Sequence, residues 1–144
     1  MLLPPEINEY FAKVDHPRYP ILEIPQVFRD SRGAILNIAD GQLSDVAIID
    51  SNANSIRANH YHKEDWHLSY ILSGAVEYKF KSIDLLSGEP WNSITIGKGD
   101  LIFTPSNHWH CFEFLEPTTM VVVSRISRLV NIYESDTIRS NQQL

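Results

Sequence analysis

Hydrophobic and polar residues alternate along most of this chain in short runs that are separated by turn-forming residues. The runs recur at spacings of about ten residues and cover 34–38, 45–50, 67–72, 75–80, 93–96, 101–104, 110–115 and 120–126. In the run 75–80, Val76, Tyr78 and Phe80 share one face of an extended chain. Many short strands with little helix signal predict an all-β domain, either a sandwich or a barrel.

The first 26 residues differ from the rest of the chain, because they contain five of the eight prolines. Proline removes a backbone donor and fixes φ, so regular pairing in a sheet is disfavoured there. We therefore expect an N-terminal arm over residues 1–26, with one short helix around 7–14. A single β-barrel domain is expected over 27–144.

Composition and charge narrow the range of functions. With 144 residues, of which 43% are hydrophobic, the chain is long enough for one domain with a substantial core. A net charge of -6 argues against a nucleic-acid partner, but one or two local arginines would suffice to bind a phosphorylated small molecule. The single cysteine, Cys111, cannot form an internal disulfide, and no signal peptide or membrane-length apolar run is evident. We expect a soluble, cytoplasmic protein with no membrane partner.

Half of the six histidines lie in the segment RANHYHKEDWH, residues 57–67. In a strand His60 and His62 project to the same face, near enough to share one ion. The polar residues that follow, Lys-Glu-Asp, predict a turn that brings the next strand, and with it His67, back beside the first.

A second group of histidines lies in PSNHWH, residues 105–110. If its strand neighbours the first, His110 reaches the same interior. His108 is interpreted as part of the turn before the strand, and His16 as a surface loop residue. An H-x-H pair alone is a weak signal, whereas the joint spacing of the whole set is much more specific.

That joint spacing resembles the two sequence motifs of the cupin superfamily. The first motif, H-x-H, then Glu, then Gly at fixed intervals, is matched by His60, His62, His67 and Gly74. The second motif, G-x₅-P-x-G-x-x-H, is matched by Gly99, Pro105 and His110. The resemblance implies the cupin double-stranded β-helix, a jelly-roll barrel. It also implies that His60, His62, His67 and His110 surround one divalent ion.

Three positions depart from the cupin pattern. Asn54 and Asn107 stand where glycines are usual, and Asn tolerates left-handed turns better than most residues. His67 stands where the family has Glu, which keeps a ligand but removes a negative charge. This exchange favours zinc or nickel, with iron and copper as alternatives.

A narrower resemblance points to cupins that act on nucleotide-linked sugars. FRDSRG, residues 28–33, is similar to their F-x-D-x-R-G opening, and RANHYH is similar to the RGNHYH of the zinc-bearing C-terminal cupin of capsular polysaccharide reductases. The tail YESDTIR, residues 133–139, resembles the D-E-S-D-Y-I-R ending of dTDP-sugar 3,4-ketoisomerases. The implied function is an epimerase or isomerase of a nucleotide-linked 4-keto-6-deoxy sugar.

Proton transfer beside a ketone requires a base near the C–H bond and a positive group near the oxygen. His60 and His62 are the candidate catalytic residues, and Tyr70 and Tyr78 are added as phenols if their strands turn those side chains inward. A divalent ion would meet the second need as a Lewis acid. In metal-free ketoisomerases, by resemblance, the first two histidines act directly on the sugar, and the sequence leaves both arrangements open.

Three further residues are candidates for substrate binding. Arg57 and Arg32 could bind a diphosphate through bidentate hydrogen bonds; the alternative for both is a surface arginine at a strand end, and for Arg32 that alternative has equal weight. Trp109 could stack on a nucleotide base. The cupin resemblance also implies exchange of the proline-rich arm, and hence a homodimer.

Two other functional classes remain open at this point. The four-histidine set is compatible with a metal-dependent oxygenase or lyase that acts on a small non-nucleotide substrate. A module that binds a metal or ligand without catalysis is the other alternative. The cupin fold hosts many chemistries, so the fold alone does not decide.

Overall fold

The computed structural model describes residues 19–24, 27–84 and 90–140, which form twelve strands and one helix. In chain order these elements are β1 (Ile21–Leu22), β2 (Val27–Asp30), β3 (Gly33–Leu36), β4 (Asp45–Ser51), β5 (Ile56–His62), β6 (His67–Ser73), β7 (Ala75–Ser82), β8 (Asn92–Gly97), β9 (Leu101–Thr104), β10 (His108–Phe114), β11 (Thr118–Ser124), α1 (Val130–Asp136) and β12 (Thr137–Arg139). Each of the eight predicted runs falls on a strand, with its ends shifted by a few residues.

Ten of these strands form two antiparallel sheets. The first sheet has the order β1-β9-β6-β11-β4, and the second has the order β12-β5-β10-β7-β8. From β4 to β7 successive strands alternate between the sheets, so the chain winds across the barrel as a jelly roll does. The all-β, double-stranded β-helix prediction is therefore confirmed.

The main core lies between the two sheets. It is built from alternate residues of each strand, such as Ile71 and Val122 on the first sheet and Val76 and Phe114 on the second. The intervening positions face outward, as the period-two pattern predicts. One end of this interior holds the histidines instead of aliphatic side chains.

A second apolar cluster covers the outer face of the first sheet. Leu68, Leu101 and Phe103 alternate with inward-facing residues and pack together with Trp66. Side chains from residues 19–24 and 38–43 lie over them. The first sheet is therefore buried on both faces along part of its length.

The N-terminal and C-terminal segments differ from expectation. Ile21 and Leu22, assigned by the sequence to the arm, form β1, pair with β9 and are buried. The predicted helix over 7–14 lies outside the described residues. Helix α1 was not predicted, since it has seven residues and no side chain caps its start at Leu129.

The strands β2 and β3 form a separate hairpin that is paired with neither large sheet. All eight of its residues are exposed, including the apolar Phe28 and Ile35. Among the described residues, no helix has the length and apolar character needed to cross a membrane.

Candidate active site

Four histidines converge at one end of the barrel interior. His60 and His62 point inward from β5, and His110 on β10 lies directly opposite His60 in the register. His67 enters from β6 of the other sheet. The ring centroids lie 4.7 Å apart for His60 and His62 and 4.7 Å apart for His60 and His110. The predicted convergence of these four side chains is present in the structure.

An irregularity in β5 sets the direction of the His60 and His62 side chains. Ala58 and Asn59 both have positive φ, at 68° and 57°, and the β5–β10 register shifts between His110 and Cys111. Such a bulge bends a strand and redirects the next side chain. Left-handed backbone is costly for alanine, so the surrounding barrel must hold this conformation. The bulge turns His60 into the cavity next to His110.

Three of the histidines, His60, His67 and His110, border a cavity of about 160 Å³. Its lining combines imidazole, phenol and guanidinium groups with apolar side chains, of which those from β4 and β11 belong to the first sheet. The lining residues are Ile49, Arg57, Ala58, His60, His67, Ser69, His110, Phe112, Met120, Val122, Arg128 and Tyr133. A site that combines apolar side chains with a few polar groups can orient a small, partly apolar ring.

Burial keeps the four imidazoles neutral. It is the main cause that lowers the pKa of His60 to about 2, of His110 to about 3 and of His62 to about 4. The pKa of His67 is also lowered well below its usual value, again mainly by burial. Repulsion from neighbouring histidines lowers the pKa values of His60, His67 and His110 further. At neutral pH each ring can therefore offer a lone pair to a metal ion or a proton.

Hydrogen bonds hold two of the rings in a defined orientation. Nδ1 of His110 donates to the backbone oxygen of His108 at 3.0 Å. Nδ1 of His62 lies 3.3 Å from Thr137 Oγ1 and 3.5 Å from a carboxylate oxygen of Asp136. In both rings Nε2 is then left as the acceptor nitrogen. Nε2 of His62 has no partner among the described residues.

Asp136 also fixes the turn between β5 and β6. Its carboxylate accepts the backbone N–H groups of Glu64 at 2.9 Å and Asp65 at 3.1 Å. Asp65 in turn accepts the N–H of Ile126 at 2.9 Å. The Lys-Glu-Asp turn predicted from the sequence is thus tied to the end of α1, which couples the turn to the position of His62.

The donor set fits a divalent transition metal. Ligand atoms of His60, His62 and His110 lie within 4.8 Å of one another, and all three side chains are buried. His67 is not part of this compact group, although its ring centroid is 5.1 Å from that of His110. Neutral imidazoles are ligands preferred by zinc, nickel and copper.

Of the predicted phenols, neither reaches the cavity. Tyr70 alternates with the inward-facing His67 and Ser69 on β6, so it packs on the outer cluster. Tyr78 does point inward, but it is fully buried, donates to or accepts from Thr104 Oγ1 at 2.8 Å, and is not among the lining residues. The expectation that these two tyrosines act on the substrate is corrected.

Only some of the predicted substrate-binding residues lie at the cavity. Arg57 lines the cavity and is held by Ser51 Oγ at 2.8 Å. Arg32 lies on the exposed β2–β3 hairpin, pairs with Asp30, and does not line the histidine cavity. Trp109 faces outward and packs on Tyr61 at 4.8 Å between ring centroids. Within one chain, only Arg57 of the three is at the site.

Two residues at the cavity were missed by the sequence analysis. Tyr133 on α1 has its ring centroid 6.2 Å from that of His60 and 5.6 Å from that of His62. Arg128 precedes the helix, lines the cavity and lies 5.8 Å above the Tyr133 ring. The sequence signal that could have identified Tyr133 was the resemblance of the tail segment 133–139, which begins at this residue.

Comparison with known proteins agrees with this architecture. The family model described as the cupin domain matches residues 47–125, more than half of the chain. No curated protein matches the chain.

Several solved structures share the fold. A 3,4-ketoisomerase from Helicobacter canadensis is 20% identical with a TM-score of 0.68, covering 87% of this chain and 92% of its own. A variant of the 3,4-ketoisomerase QdtA from Thermoanaerobacterium thermosaccharolyticum, in complex with TDP-4-keto-6-deoxyglucose, is 17% identical with a TM-score of 0.66, covering 85% and 88%. The dTDP-4-dehydrorhamnose 3,5-epimerase from Sulfolobus tokodaii is 16% identical with a TM-score of 0.60, covering 76% and 72%. At these identities the likeness establishes the fold.

Proposed function

The chain belongs to the cupin domain family, and from that premise we propose that it is an epimerase or isomerase of a nucleotide-linked 4-keto-6-deoxy sugar. One observation carries the proposal. Neutral imidazoles, the Tyr133 phenol and two arginines face a single small cavity. The activities of the structural neighbours, 3,4-ketoisomerases and a 3,5-epimerase, support the same reaction class.

The size of the cavity supports a sugar as the reacting group. About 160 Å³ is close to the ~150 Å³ of a protein cavity that holds benzene, so one six-membered ring fits and a nucleotide does not. The apolar wall of Ile49, Met120 and Val122 suits the methyl group of a 6-deoxy sugar. The nucleotide would then lie outside, with its diphosphate near Arg57 and Arg128.

The reaction is a proton transfer through an enediol. A neutral imidazole takes the proton from the carbon next to the ketone, and the C–H electrons form a C=C bond. The ketone oxygen takes a proton from the Tyr133 phenol, which balances the charge. Return of a proton to the opposite face of the same carbon gives the epimer. If the proton adds instead to the former ketone carbon, while the neighbouring hydroxyl loses its proton, the product is the isomer.

We also propose a divalent ion, zinc or nickel first, held by His60, His62 and His110. The sequence prediction added His67 as a fourth ligand. When bound, the ion would supply Lewis-acid stabilisation of the oxygen that gains negative charge. The protein groups retain the tasks of orienting the sugar, excluding water and moving the protons.

Metal content tests this second proposal. The His62→Ala variant should lose most of the ion found by elemental analysis, whereas His16→Ala, at a position outside the described residues, should retain it. Equal content in the two variants, or no metal in the supplemented wild type, would contradict the metal site. The imidazoles would then act on the sugar without an ion.

Hydrogen exchange tests the proposed reaction directly. Incubation of dTDP- or UDP-4-keto-6-deoxyglucose with the protein in D₂O should introduce deuterium next to the ketone, detected by proton NMR. Absence of exchange with both nucleotides, under conditions where the protein is folded, would rule out the epimerase and isomerase functions.

A metal-dependent oxygenase or lyase on a non-nucleotide substrate is the second candidate. The compact three-histidine group favours it, since imidazole ligands also suit iron and copper. Oxygen uptake that depends on added Fe, Cu or Ni would support the oxygenase. Turnover under strictly anaerobic conditions would count against it.

We further propose a homodimer in the cytoplasm. The exposed apolar residues Phe28 and Ile35 on the hairpin, and Val46 and Ile48 on the edge strand β4, support a partner of the same kind. Light scattering should give twice the monomer mass at micromolar concentration. A monomer would contradict the dimer, and cell fractionation checks the location.

A further inference from the structure

The four histidines of the cavity are not equivalent in position. His60, His62 and His110 come from two adjacent strands of the second sheet and form the compact group of ligand atoms. His67 comes from β6 of the first sheet and lies across the interior from them. Its ring centroid is 5.1 Å from that of His110 and 5.7 Å from that of His62.

The hydrogen bonds separate His67 further from His62 and His110. Metal-binding histidines almost always engage their second ring nitrogen with a carboxylate, a carbonyl or a water molecule. His62 has Asp136 and Thr137 in this role, and His110 has the backbone oxygen of His108. Neither ring nitrogen of His67 has a partner among the described residues, although the side chain is only 4% exposed.

The location of His67 suits a group that exchanges a proton with the substrate. It lines the cavity beside Ser69 on the first-sheet wall, whereas Tyr133 contacts His60 and His62 on the other side. A sugar ring in the cavity would meet both groups. The imidazole needs no rearrangement to accept a proton, because no hydrogen bond in the described part of the chain has to be broken.

We propose that His67 is the general base of the reaction and not the fourth metal ligand. This inference rests on the proposed epimerase or isomerase function. His67 takes the proton from the carbon beside the ketone, the C–H electrons form the C=C bond, and Tyr133 protonates the ketone oxygen. In the second half of the isomerisation the imidazolium returns the proton to the former ketone carbon, and Tyr133 regains its own from the neighbouring hydroxyl, which becomes the new ketone.

The test compares three histidine variants of the full-length protein by two readouts. The variants are His67→Gln, His110→Gln as a member of the compact group, and His108→Gln as a control outside the cavity. One readout is zinc affinity by competition with a chromophoric chelator. The other is deuterium exchange into dTDP-4-keto-6-deoxyglucose, with the melting temperature recorded for each variant.

We expect His67→Gln to bind zinc within threefold of wild type and to exchange at least 100-fold more slowly. His110→Gln should bind zinc at least tenfold more weakly, and His108→Gln should change neither readout. If His67→Gln loses zinc as His110→Gln does, His67 is a ligand and the inference is wrong. Retained exchange in His67→Gln would overturn it equally. Should the wild type bind no zinc, the exchange readout alone decides.

Two further outcomes keep the inference distinct from the proposed function. A wild type that shows no exchange removes the proposed function and the inference together, whereas exchange that survives His67→Gln removes the inference alone. If His67→Gln does not fold, His67→Ala with added imidazole replaces it. Rescue of exchange by imidazole supports the base, and a folded variant without rescue contradicts it.

Discussion

The carboxylate of Asp136 lies 3.5 Å from Nδ1 of His62 and joins the end of helix α1 to the histidine cluster. The same carboxylate accepts the N–H groups of Glu64 and Asp65. One buried side chain therefore fixes both the ring orientation of a proposed ligand and the turn that leads to β6. Stability and site geometry are coupled through this residue.

Substitution Asp136→Asn tests the coupling. The amide has one acceptor oxygen, so one backbone N–H would be left unpartnered and the negative charge facing His62 would be lost. We expect the free energy of unfolding to fall by about 1–3 kcal/mol and the metal affinity to fall about 10–100-fold. Urea denaturation and metal titration measure the two effects. Glu134→Gln, on the exposed face of the same helix, is the control and should leave metal affinity unchanged.

Tyr133 and Tyr78 allow a matched comparison of function against stability. Tyr133→Phe removes the phenol that faces the cavity and should slow hydrogen exchange about 10²–10⁴-fold, the range for general acid–base catalysis, with little change in melting temperature. Tyr78→Phe removes the buried hydrogen bond to Thr104 and should lower stability by about 1 kcal/mol while exchange persists. The opposite pattern, measured by NMR and thermal denaturation, would restore Tyr78 as the catalytic phenol.

Acid should destabilise the metal-free protein. His62 and His110 have folded-state pKa values of about 4 and 3, below the unfolded value of 6.5. The unfolded chain therefore binds more protons between these limits, and stability falls as the pH drops below about 6.5. Each such histidine contributes about 1.4 kcal/mol per pH unit. Asp65 acts in the opposite direction, since burial raises its pKa to about 6. It is a single group, however, whereas four histidines have lowered pKa values.

Urea midpoints of the chelator-treated protein between pH 8 and pH 5 measure this dependence. They should be nearly constant above pH 7 and fall steadily below 6.5. His62→Gln should reduce the slope by about one proton. A midpoint that stays flat down to pH 5 would show that the imidazoles are not buried as described.

Substitutions at Gly74 and Gly99 allow the energetic cost of backbone conformation to be measured apart from the cost of steric contact. Both have positive φ, at 94° and 92°, but a Cβ on Gly74 would lie 2.5 Å from the backbone oxygen of Pro117, whereas a Cβ on Gly99 would meet open space. Gly99→Ala should cost about 1 kcal/mol from strain alone. Gly74→Ala should cost about 1–3 kcal/mol more, because the backbone of Pro117 must move. Equal losses by urea denaturation would refute the contact argument.

Much of the fold was predictable because alternation is a local property. Each β run carried its own signal, and period two placed His60 and His62 on one face without knowledge of any partner strand. The same rule could have excluded two wrong candidates. Trp109 neighbours the inward-facing His110, and Tyr70 is an odd number of residues from His67, so both must face away.

Other features of the site depend on tertiary contacts. Tyr78 points inward as its strand pattern indicates, but its depth below the cavity depends on how the two sheets pack. Helix α1 is too short to show a periodic signal, and its position is fixed by the contacts of Asp136 with a distant turn. Tyr133 and Arg128 could therefore not be placed at the cavity from their own surroundings in the sequence.

The pairing of His60 with His110 has a consequence for how this protein folds. In a zinc finger the ligands lie within a short segment, so the ion can organise the chain as it collapses. Here the two residues are far apart in sequence, and closing so long a loop costs entropy before any imidazoles meet. An ion held by both residues would therefore bind only after β5 and β10 have paired, and it would then slow their separation.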